Sequence, residues 1–315
     1  MATQPKLPAI ALGTWSWGIG DAGGDQIFGH HLDESDLRPV VDAAMQGGLT
    51  LWDTAYAYGA GDSERILGDL LNDYARETYT LSTKFTPQLA TDDQAVTEML
   101  AGSLKRLKTD YIDIYWIHNS DDVARWTPKL IPLLQSGQIR QVGVSNHNLS
   151  QIKQANQILG TAGFKVSAVQ NHFSLLDRAS EQEGILDYCR ENDIKFFAYM
   201  VLEQGALTGK YDMVHPLPAD SSRGNVYNPM LPELTKLVQR MQAIGTTQDA
   251  TVAEVATAWT LAKGTLPILG VTKPAYVESA KRALAVKLSA NEIRDLEALA
   301  DATHLDTHGG WEHSI

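Results

Sequence analysis

Cysteine is almost absent from this chain, since Cys189 is the single cysteine among 315 residues. An internal disulfide therefore cannot form, which fits a reducing compartment. Long apolar runs are also absent, and none approaches the roughly 18 residues that a membrane-spanning helix needs. The opening segment, MATQPKLPAI, lacks a charged stretch followed by an apolar one, so we expect no signal peptide. Together these absences predict a cytoplasmic protein with no membrane contact.

Basic residues are in short supply, with 26 Lys and Arg against 38 Asp and Glu and a formal net charge of −12. This charge disfavours a general nucleic-acid surface and docking to anionic lipid, although a local basic pocket for a phosphate is compatible with it. The zinc spacings His-x-His and HExxH are missing as well. We therefore predict no nucleic-acid partner and no metal. A metal-dependent barrel hydrolase is kept as an alternative, which would use His30, His31, His118, His172 and Asp53.

A glycine-rich motif at 18–23 matches GxGxxG. A dinucleotide fingerprint needs that motif to open a helix directly after a strand. Here another glycine and then DQIFG at 25–29 follow instead of a helix. The sequence therefore favours a flexible loop over a Rossmann site.

What the chain does contain is an alternation of short apolar segments with amphipathic ones. Between the first two apolar segments, Leu37, Val40, Val41 and Ala44 recur at helical spacing. Strands separated by such long crossovers run parallel. The segments interpreted as strands lie at 10–14, 49–53, 79–83, 111–117, 139–144, 166–169, 195–198 and 266–270.

Eight such units predict an α/β protein with a closed (β/α)8 or TIM barrel, which typically takes about 250 residues. The surplus is assigned to an extended loop after strand seven, at about 203–232, and to an extra C-terminal helix. No linker marks a boundary, so 1–315 is predicted to be a single domain, with an open doubly wound sheet as the alternative fold. Helix starts are predicted at Ser63 and Ser150 and at the capping boxes Thr91/Gln94, Thr251/Glu254 and Ser289/Glu292.

Polar residues stand at or just after the carboxyl ends of the predicted strands. In a barrel those ends converge on one face, where such enzymes carry out their chemistry. Any one of these residues has a plain structural explanation, but a ring that includes an acid, a base and a phenol is hard to ascribe to coincidence. The ring comprises Asp53, Lys84, His118, Ser145, Asn146, Gln170, Asn171, Tyr199 and Lys273.

Tyr58 follows Asp53 by five residues and is the phenol of this set. A free tyrosine has a pKa near 10, and a nearby ammonium lowers that pKa by favouring the phenolate. Lys84 supplies such a charge and Asp53 keeps it charged, so we predict Tyr58 as a general acid that protonates a developing alkoxide. His118 is predicted to orient the same oxygen through a hydrogen bond.

This set can reduce a carbonyl, but no side chain delivers hydride, so a nicotinamide cofactor is implied. Ser145, Asn146 and Gln170 are suited to its carboxamide, and Tyr199 is suited to stacking on its ring. The aromatic side chains predicted as a substrate wall, or as a cover for the barrel rim, are Trp15, Trp17 and Tyr56.

Eight motifs follow one another in a family-specific order: GTWSWG at 13–18, WDTAYAYG at 52–59, LSTKF at 81–85, DIYWIH at 113–118, GVSNHN at 143–148, VQNHFSLL at 169–176, AYMVLEQGALTGKY at 198–211 and LGVTK at 269–273. Through these motifs the chain resembles the aldo-keto reductases along nearly its whole length. The resemblance implies a barrel without a Rossmann domain, NADP(H) rather than NAD(H) as cofactor, and a small aldehyde or ketone as substrate. We expect a monomer or a small homo-oligomer.

The resemblance also implies roles for individual residues. Tyr58 is the acid, Lys84 modifies its pKa, Asp53 is the partner of the lysine, and His118 orients the carbonyl. The implied substrate contacts include Tyr58 and His118, together with Trp15 and Trp17. The implied cofactor contacts are Thr14, Trp15, Asp53, Ser145, Asn146, Gln170, Tyr199, Leu202, Gln204, Gly205, Leu207, Lys210, Gly270, Val271, Thr272 and Lys273.

Two departures from the family pattern bear on the cofactor. The pair Met200-Val201 replaces a frequent Ser-Pro, while the strap implied over the pyrophosphate at 202–210 keeps its glycines. A Glu-Asn pair that many members carry after the last strand is absent, so an NADPH preference rests on Lys273 at the start of the following helix. Arg223 and Lys210 are candidate contacts to the pyrophosphate or plain surface cations.

The alternative within the same fold is a binding module with slow or no turnover, similar to the potassium-channel β-subunits. The complete set of Asp53, Tyr58, Lys84 and His118 favours catalysis over that alternative. The terminal residues Trp311 and His313 are candidates for closing the site.

Overall fold

The computed structural model describes residues 7–310 and 312, and it confirms the predicted barrel. Eight parallel strands close on themselves in chain order, and β1 completes the ring by pairing Ala11 with Ile268 of β8. The closed ring excludes the open doubly wound sheet. The strands are β1 Ala11–Gly13, β2 Leu51–Asp53, β3 Thr80–Phe85, β4 Ile112–Ile117, β5 Ile139–Ser145, β6 Val166–His172, β7 Lys195–Tyr199 and β8 Leu266–Gly270.

Helices alternate with the strands and surround the barrel. Along the described part of the chain, no helix is long and apolar enough to cross a membrane. The α-helices are α1 Gly24–Phe28, α2 Glu34–Gln46, α3 Asp62–Leu71, α4 Ala95–Arg106, α5 Val123–Trp126, α6 Ile131–Ser136, α7 Leu149–Gly160, α8 Ala179–Gln182, α9 Ile185–Glu191, α10 Ser222–Tyr227, α11 Leu231–Thr246, α12 Val252–Ala262, α13 Pro274–Ala283 and α14 Ala290–Asp301.

The helix starts show which local signals the fold uses. The capping boxes at Thr251 and Ser289 are both formed, as predicted. The box predicted at Thr91 is wrong, because α4 begins at Ala95 and its N-cap residue, Gln94, makes no side-chain cap. The cap predicted at Ser150 is also wrong, since Asn148 caps α7 from a position closer to the end of β5.

Ser63 has a tertiary contact in place of the predicted cap. It lies inside α3, where its buried Oγ is 2.8 Å from both the backbone oxygen and Oγ1 of Thr14. The chain enters α3 through Gly61 in a left-handed conformation, with φ of 95°. The serine thus connects α3 to the loop after β1.

The barrel interior follows the two-residue period of a strand. Inward-facing side chains fill the interior up to the carboxyl ends of the strands, where polar residues take over. Gly143 on β5 leaves room for the inward-facing indole of Trp116, because a Cβ at position 143 would lie 2.1 Å from Cε3 of that ring. The apolar interior cluster is formed by Ala11, Leu51, Ile114, Trp116, Ala168, Phe197 and Leu266.

Two loops carry more structure than the sequence predicts. The GxGxxG loop leads directly into α1, so the prediction of no helix there is wrong. The segment predicted as irregular at 203–232 contains the 3₁₀ helix Glu203–Thr208 and α10, and it merges into α11. Apolar side chains within it, Leu207 and Tyr227, are buried against the core.

Candidate active site

Alternation along the strands decides which side chains meet at the carboxyl face of the barrel. Ser82, Lys84 and Thr86 recur at a spacing of two along β3 and its end, so they share its inner face. Asp53 ends the neighbouring strand β2, and His118 directly follows β4 on the other side. The structure therefore brings the residues predicted as catalytic together from adjacent strands.

Lys84 is fully buried, and its ammonium joins the acid to the phenol. Its Nζ lies 2.6 Å from Oδ2 of Asp53, 2.8 Å from the carbonyl oxygen of Thr54 and 3.3 Å from the hydroxyl oxygen of Tyr58. These three acceptors match the three donors of an ammonium group. Because Lys84 donates to the Tyr58 oxygen, the proton of the phenol itself is directed to another acceptor.

The protonation states in this cluster follow from burial and from charge. Burial raises the pKa of Tyr58 above its ordinary value, and the neighbouring Lys84 opposes that shift without cancelling it. The expectation of a tyrosine pKa below the ordinary value is therefore wrong, although Lys84 acts in the expected direction. Burial lowers the pKa of Lys84, but Asp53 and Tyr58 raise it by more, so it stays above its usual value. At neutral pH the pair is an ammonium and a protonated phenol.

His118 is a neutral imidazole in this environment. Burial and the nearby Lys84 charge lower the pKa of His118 well below its ordinary value. Its Nδ1 lies 3.0 Å from Oγ1 of Thr86, and its ring meets the Tyr58 ring edge to face at 5.9 Å between centroids. In the tautomer in which Thr86 donates to Nδ1, the Nε2 of His118 carries the proton and is a hydrogen-bond donor.

Asp53 is fixed by contacts on its other oxygen. Its Oδ1 accepts from Oγ of Ser82 at 2.5 Å and from Nε2 of Gln170 at 3.2 Å. The backbone oxygen of Asp53 accepts from the amide of Thr14 at 3.0 Å. Since both carboxylate oxygens are engaged, the acid cannot rotate away from Lys84 without breaking hydrogen bonds.

A cavity of about 820 Å³ opens over this cluster, at the carboxyl ends of the strands. Asp53, Tyr58 and His118 line it, and Lys84 is buried behind them. The volume suits a cofactor together with a small substrate. The remaining predicted cofactor residues that line it are Trp15, Ser145, Asn146, Gln170, Tyr199, Leu202, Gln204, Gly205, Lys210, Gly270, Thr272 and Lys273.

Five predicted contacts do not line this cavity: Thr14, Trp17, Tyr56, Leu207 and Val271. The assignment of Trp17 to the substrate wall is contradicted, because its side chain is fully buried against Trp52 and its Nε1 donates to the backbone oxygen of Val271 at 2.7 Å. Thr14 supports the site from behind, since its amide donates to the Asp53 backbone oxygen. Trp311 and His313, the candidates for closing the site, lie outside the described residues.

Sequence reasoning missed several cavity residues. Thr86 had a readable signal, since it follows Lys84 by two residues on the same strand face. Phe28 and His30 belong to the loop and short helix after β1, where Phe28 meets the Trp15 ring edge to face at 5.4 Å. Their approach depends on the loop path, so no local pattern indicates it.

The alternative set of metal ligands is not assembled. His118 is hydrogen-bonded to Thr86, whereas His172 lies between Glu203 and Glu312. Within 7–310 and 312, the group of side chains with metal-ligand spacing is His172, Asp177 and Glu312, which differs from the predicted set.

Residues 9–301 match the family model described as "Aldo/keto reductase family". The chain belongs to the aldo-keto reductase family. Among curated relatives, it is 32% identical to "Pyridoxal reductase, chloroplastic" of Arabidopsis thaliana, over 94% of this chain and 84% of that protein. It is 28% identical to "Aldo-keto reductase YhdN" of Bacillus subtilis (strain 168), over 98% and 94% of the two chains. The glycerol dehydrogenase of Gluconobacter oxydans superposes with a TM-score of 0.77 at 24% identity, covering 99% of this chain and 95% of that one, which supports the fold.

Aldo-keto reductases generally use nicotinamide cofactors, and the cavity contains polar groups that fit one. Oγ of Ser145 is buried and has no hydrogen-bond partner among the described residues. A carboxamide offers both a donor and an acceptor to such a hydroxyl. Asn146 fits less well, because its Nδ2 already donates to the His118 backbone oxygen and to Oδ1 of Asn119, each at 3.0 Å. Its Oδ1 accepts from the Tyr199 hydroxyl at 2.6 Å, which leaves it one lone pair for a ligand.

Part of the wall of the same cavity is cationic. Lys210, Arg223 and Lys273 line it, and Lys273 lies at the N-terminus of α13. The guanidinium of Arg223 donates from Nη1 to the Gln204 backbone oxygen at 3.1 Å, while its buried Nε has no partner within the described chain. In a chain with net charge −12, three cations along one cavity are suited to the phosphates of a dinucleotide.

Proposed function

We propose that this aldo-keto reductase reduces an aldehyde or ketone to the alcohol with NADPH as hydride donor. The observation that carries the proposal is the position of Lys84 Nζ, within hydrogen-bonding distance of both Asp53 and the Tyr58 hydroxyl. This arrangement keeps a protonated phenol beside a fixed positive charge, which is what a general acid for an alkoxide needs. The relatives named above are described as reductases, so the binding-module alternative has no support among them.

The side chains divide the proton chemistry among themselves. A bound reduced nicotinamide supplies hydride to the carbonyl carbon. Tyr58 gives its proton to the carbonyl oxygen as negative charge develops there, and Lys84 stabilises the phenolate that is left. Asp53 keeps Lys84 charged and in place. Neutral His118 donates from Nε2 to the same carbonyl oxygen and thereby orients the substrate.

The residues proposed to hold the cofactor run along the cavity from the catalytic cluster to α13. Ser145 and Gln170 bind the carboxamide, and Tyr199 supports the nicotinamide ring. The strap at 202–210, with Arg223, covers the pyrophosphate. Lys273 meets the 2′-phosphate with help from the α13 dipole, and for this reason we propose NADPH rather than NADH.

The proposed substrate is a small carbonyl compound with an apolar or aromatic body. The cavity beside Tyr58 and His118 is lined by Trp15, whose ring stacks on Tyr58 at 6.0 Å, and by Ala57. Such walls favour flat, weakly charged molecules. Because one relative is described as a pyridoxal reductase, pyridoxal belongs in the first set of aldehydes to be tried.

The test is a panel of aldehydes and ketones with saturating NADPH, followed by the loss of reduced-nicotinamide absorbance. We expect turnover with at least one class of carbonyl and a matching amount of alcohol product. Tight NADPH binding with no turnover across the panel would favour the binding-module alternative. A cytoplasmic location and a monomeric or small homo-oligomeric state stay predictions, which fractionation and light scattering can check.

A further inference from the structure

His172 ends β6 two residues beyond Gln170, on the same inner face. Its ring stacks on the ring of Tyr199, with centroids 5.5 Å apart and planes inclined by 29°. Tyr199 lines the cavity and is the proposed support for the nicotinamide. One face of that support is therefore held by an imidazole that itself is 1% exposed.

Two carboxylates bind the two ring nitrogens of His172. Nε2 lies 2.8 Å from Oε1 of Glu203, and Nδ1 lies 3.1 Å from both carboxylate oxygens of Glu312. A carboxylate at each nitrogen requires an N–H at each, which only the imidazolium has. Burial lowers the pKa of His172, but Glu203 and Glu312 raise it by more, so it lies well above its ordinary value. His172 is a buried cation.

This cation joins three parts of the chain that are far apart in sequence. Glu203 opens the strap and is fully buried, where its carboxylate also accepts from the Tyr227 hydroxyl at 2.6 Å and from Oγ1 of Thr307 at 3.4 Å. Glu312 belongs to the tail after α14, and its side chain is completely buried against the histidine. The end of β6, the strap and the tail thus share a single contact point.

Stability alone is a weak explanation for this cluster. A buried ion pair can usually be replaced by apolar groups of the same shape at little loss, because removing charges from water is costly. A third carboxylate adds to that cost, since Oδ2 of Asp177 lies 3.5 Å from Nδ1 of His172 and 3.1 Å from Nε2 of His308. Asp306, on the exposed side of His308, completes the charged groups around the imidazolium.

We propose that His172 is a positioning residue for the cofactor. The imidazolium of His172 holds the Tyr199 ring and the first turn of the strap in place. The tail takes part through Glu312, and it thereby sets how long the cofactor stays bound. The inference rests on the proposed function, because it takes Tyr199 as the nicotinamide support and 202–210 as the strap.

The direct measurement is the dissociation rate constant of NADPH from the full-length protein, followed by stopped-flow tryptophan fluorescence with no carbonyl present. We call the cluster of His172, Glu203 and Glu312 the clamp. Glu312→Gln removes one charge from the clamp while leaving an amide oxygen that can accept from Nδ1. We expect the rate constant to rise about tenfold, because a charge-assisted hydrogen bond is roughly twice as strong as a neutral one. Asp306→Asn is the matched control in the tail, since Asp306 is exposed and pairs with His308 instead; it should leave the rate constant within about twofold of wild type.

The pH dependence separates positioning by charge from a purely structural role. The folded pKa of His172 is raised, so the clamp is complete below the ordinary histidine pKa and is lost as pH rises through the folded value. NADPH dissociation from the wild type should therefore accelerate only in alkaline solution. In Glu312→Gln the histidine loses a stabilising charge, so the acceleration should begin at lower pH.

His172→Phe keeps an aromatic ring under Tyr199 and removes the charge. It should therefore release NADPH faster than the wild type wherever the wild-type imidazolium is present, and its release rate should show no alkaline step. Thermal unfolding of each variant shows whether it is folded, and Glu312→Gln carries the test if His172→Phe is not. A Glu312→Gln protein with the dissociation rate and pH profile of the wild type would overturn the inference. If the wild type bound no nicotinamide nucleotide at all, the proposed function would fail first, and the inference with it.

Discussion

The Nζ of Lys84 lies 3.3 Å from the hydroxyl oxygen of Tyr58, and it does so from a fully buried position behind the cavity wall. Because the lysine is held by Asp53 on its other side, the charge cannot withdraw as the phenol loses its proton. The contact lowers the pKa of a tyrosine that burial alone would leave still less acidic. Catalysis in this site should therefore depend on the charge of residue 84 as much as on its shape.

Lys84→Met tests that dependence, because methionine nearly matches lysine in volume and carries no charge. We expect turnover to fall by at least about 100-fold, since the phenolate loses its stabilising partner. The alkaline limb of the reductive pH profile should move to higher pH, because the Tyr58 pKa rises once the ammonium is gone. The substitution also leaves the buried Asp53 carboxylate without its cationic partner, so the free energy of unfolding should fall by about 3–5 kcal/mol. An unmoved alkaline limb would contradict the electrostatic role.

Tyr58→Phe removes the proposed acid and keeps the ring. Turnover should fall by about 10²–10⁴-fold, while NADPH affinity stays within about twofold of wild type. The matched control is Tyr56→Phe, since the ring of Tyr56 lies against the Arg106 guanidinium at 4.8 Å and does not line the main cavity. Steady-state kinetics and NADPH titration measure both effects, and near-normal turnover in Tyr58→Phe would rule out the assigned role.

Thr86→Val tests how His118 is held in its neutral, donating form. The substitution removes the hydroxyl 3.0 Å from Nδ1, so the tautomer with a proton on Nε2 loses its support, and turnover should drop about tenfold. Thr86→Ser restores the hydroxyl and should restore turnover. The lowered His118 pKa predicts no activity step near pH 6.5, and it predicts that stability declines as pH falls below that value, where only the unfolded chain takes up the proton. A clear step near pH 6.5 assigned to His118 would show that the imidazole is not neutral.

Lys273→Ala tests the proposed preference for NADPH. The KM for NADPH should rise by about 10–100-fold and the KM for NADH by less than about threefold, because only the former carries the 2′-phosphate. Lys281→Ala on the same helix α13 is the control, since Lys281 pairs with Glu278 outside the cavity. Equal weakening of both cofactors would place recognition of the 2′-phosphate elsewhere.

Gly143→Ala tests the packing of the barrel interior. A methyl group there would lie 2.1 Å from Cε3 of the Trp116 ring, inside the contact distance, and we expect a loss of about 1–3 kcal/mol in the free energy of unfolding. Gly160→Ala in α7 is the matched control, because its added carbon meets nothing within 4 Å and alanine is the better helix former. Chemical denaturation should show opposite signs for the two substitutions.

The sequence predicts that the candidate catalytic side chains lie next to one another, and they do, because strand geometry is local. Asp53, Lys84 and His118 end neighbouring strands, and once a residue at a strand end faces inward, the barrel leaves it no other place to point. The same strand geometry explains why Ser145 and Gln170 line the cavity. The barrel is also predictable, because the alternation of segments depends on composition and spacing rather than on any single contact.

The sequence fails where a side chain is directed by a loop or by a distant partner. Trp15 and Trp17 look alike in the sequence, yet one lines the cavity and the other is buried with its indole N–H on Val271, 254 residues away. Asn146 has the right chemistry for a ligand, but its amide group is largely occupied by neighbours that no local pattern shows. The contacts of His172 with Glu203 and Glu312 cannot be predicted from the sequence for the same reason, since these partners come from the strap and the tail.

The bond from Trp17 to Val271 has a consequence for how the polypeptide is made. It links the loop after the first strand to the loop after the last, next to the β1–β8 pairing that completes the ring. During synthesis, the edge of β1 has no pairing partner until residues near 266–271 have left the ribosome. Nascent or prematurely terminated chains that stop short of β8 should consequently expose an open sheet edge and depend on chaperones.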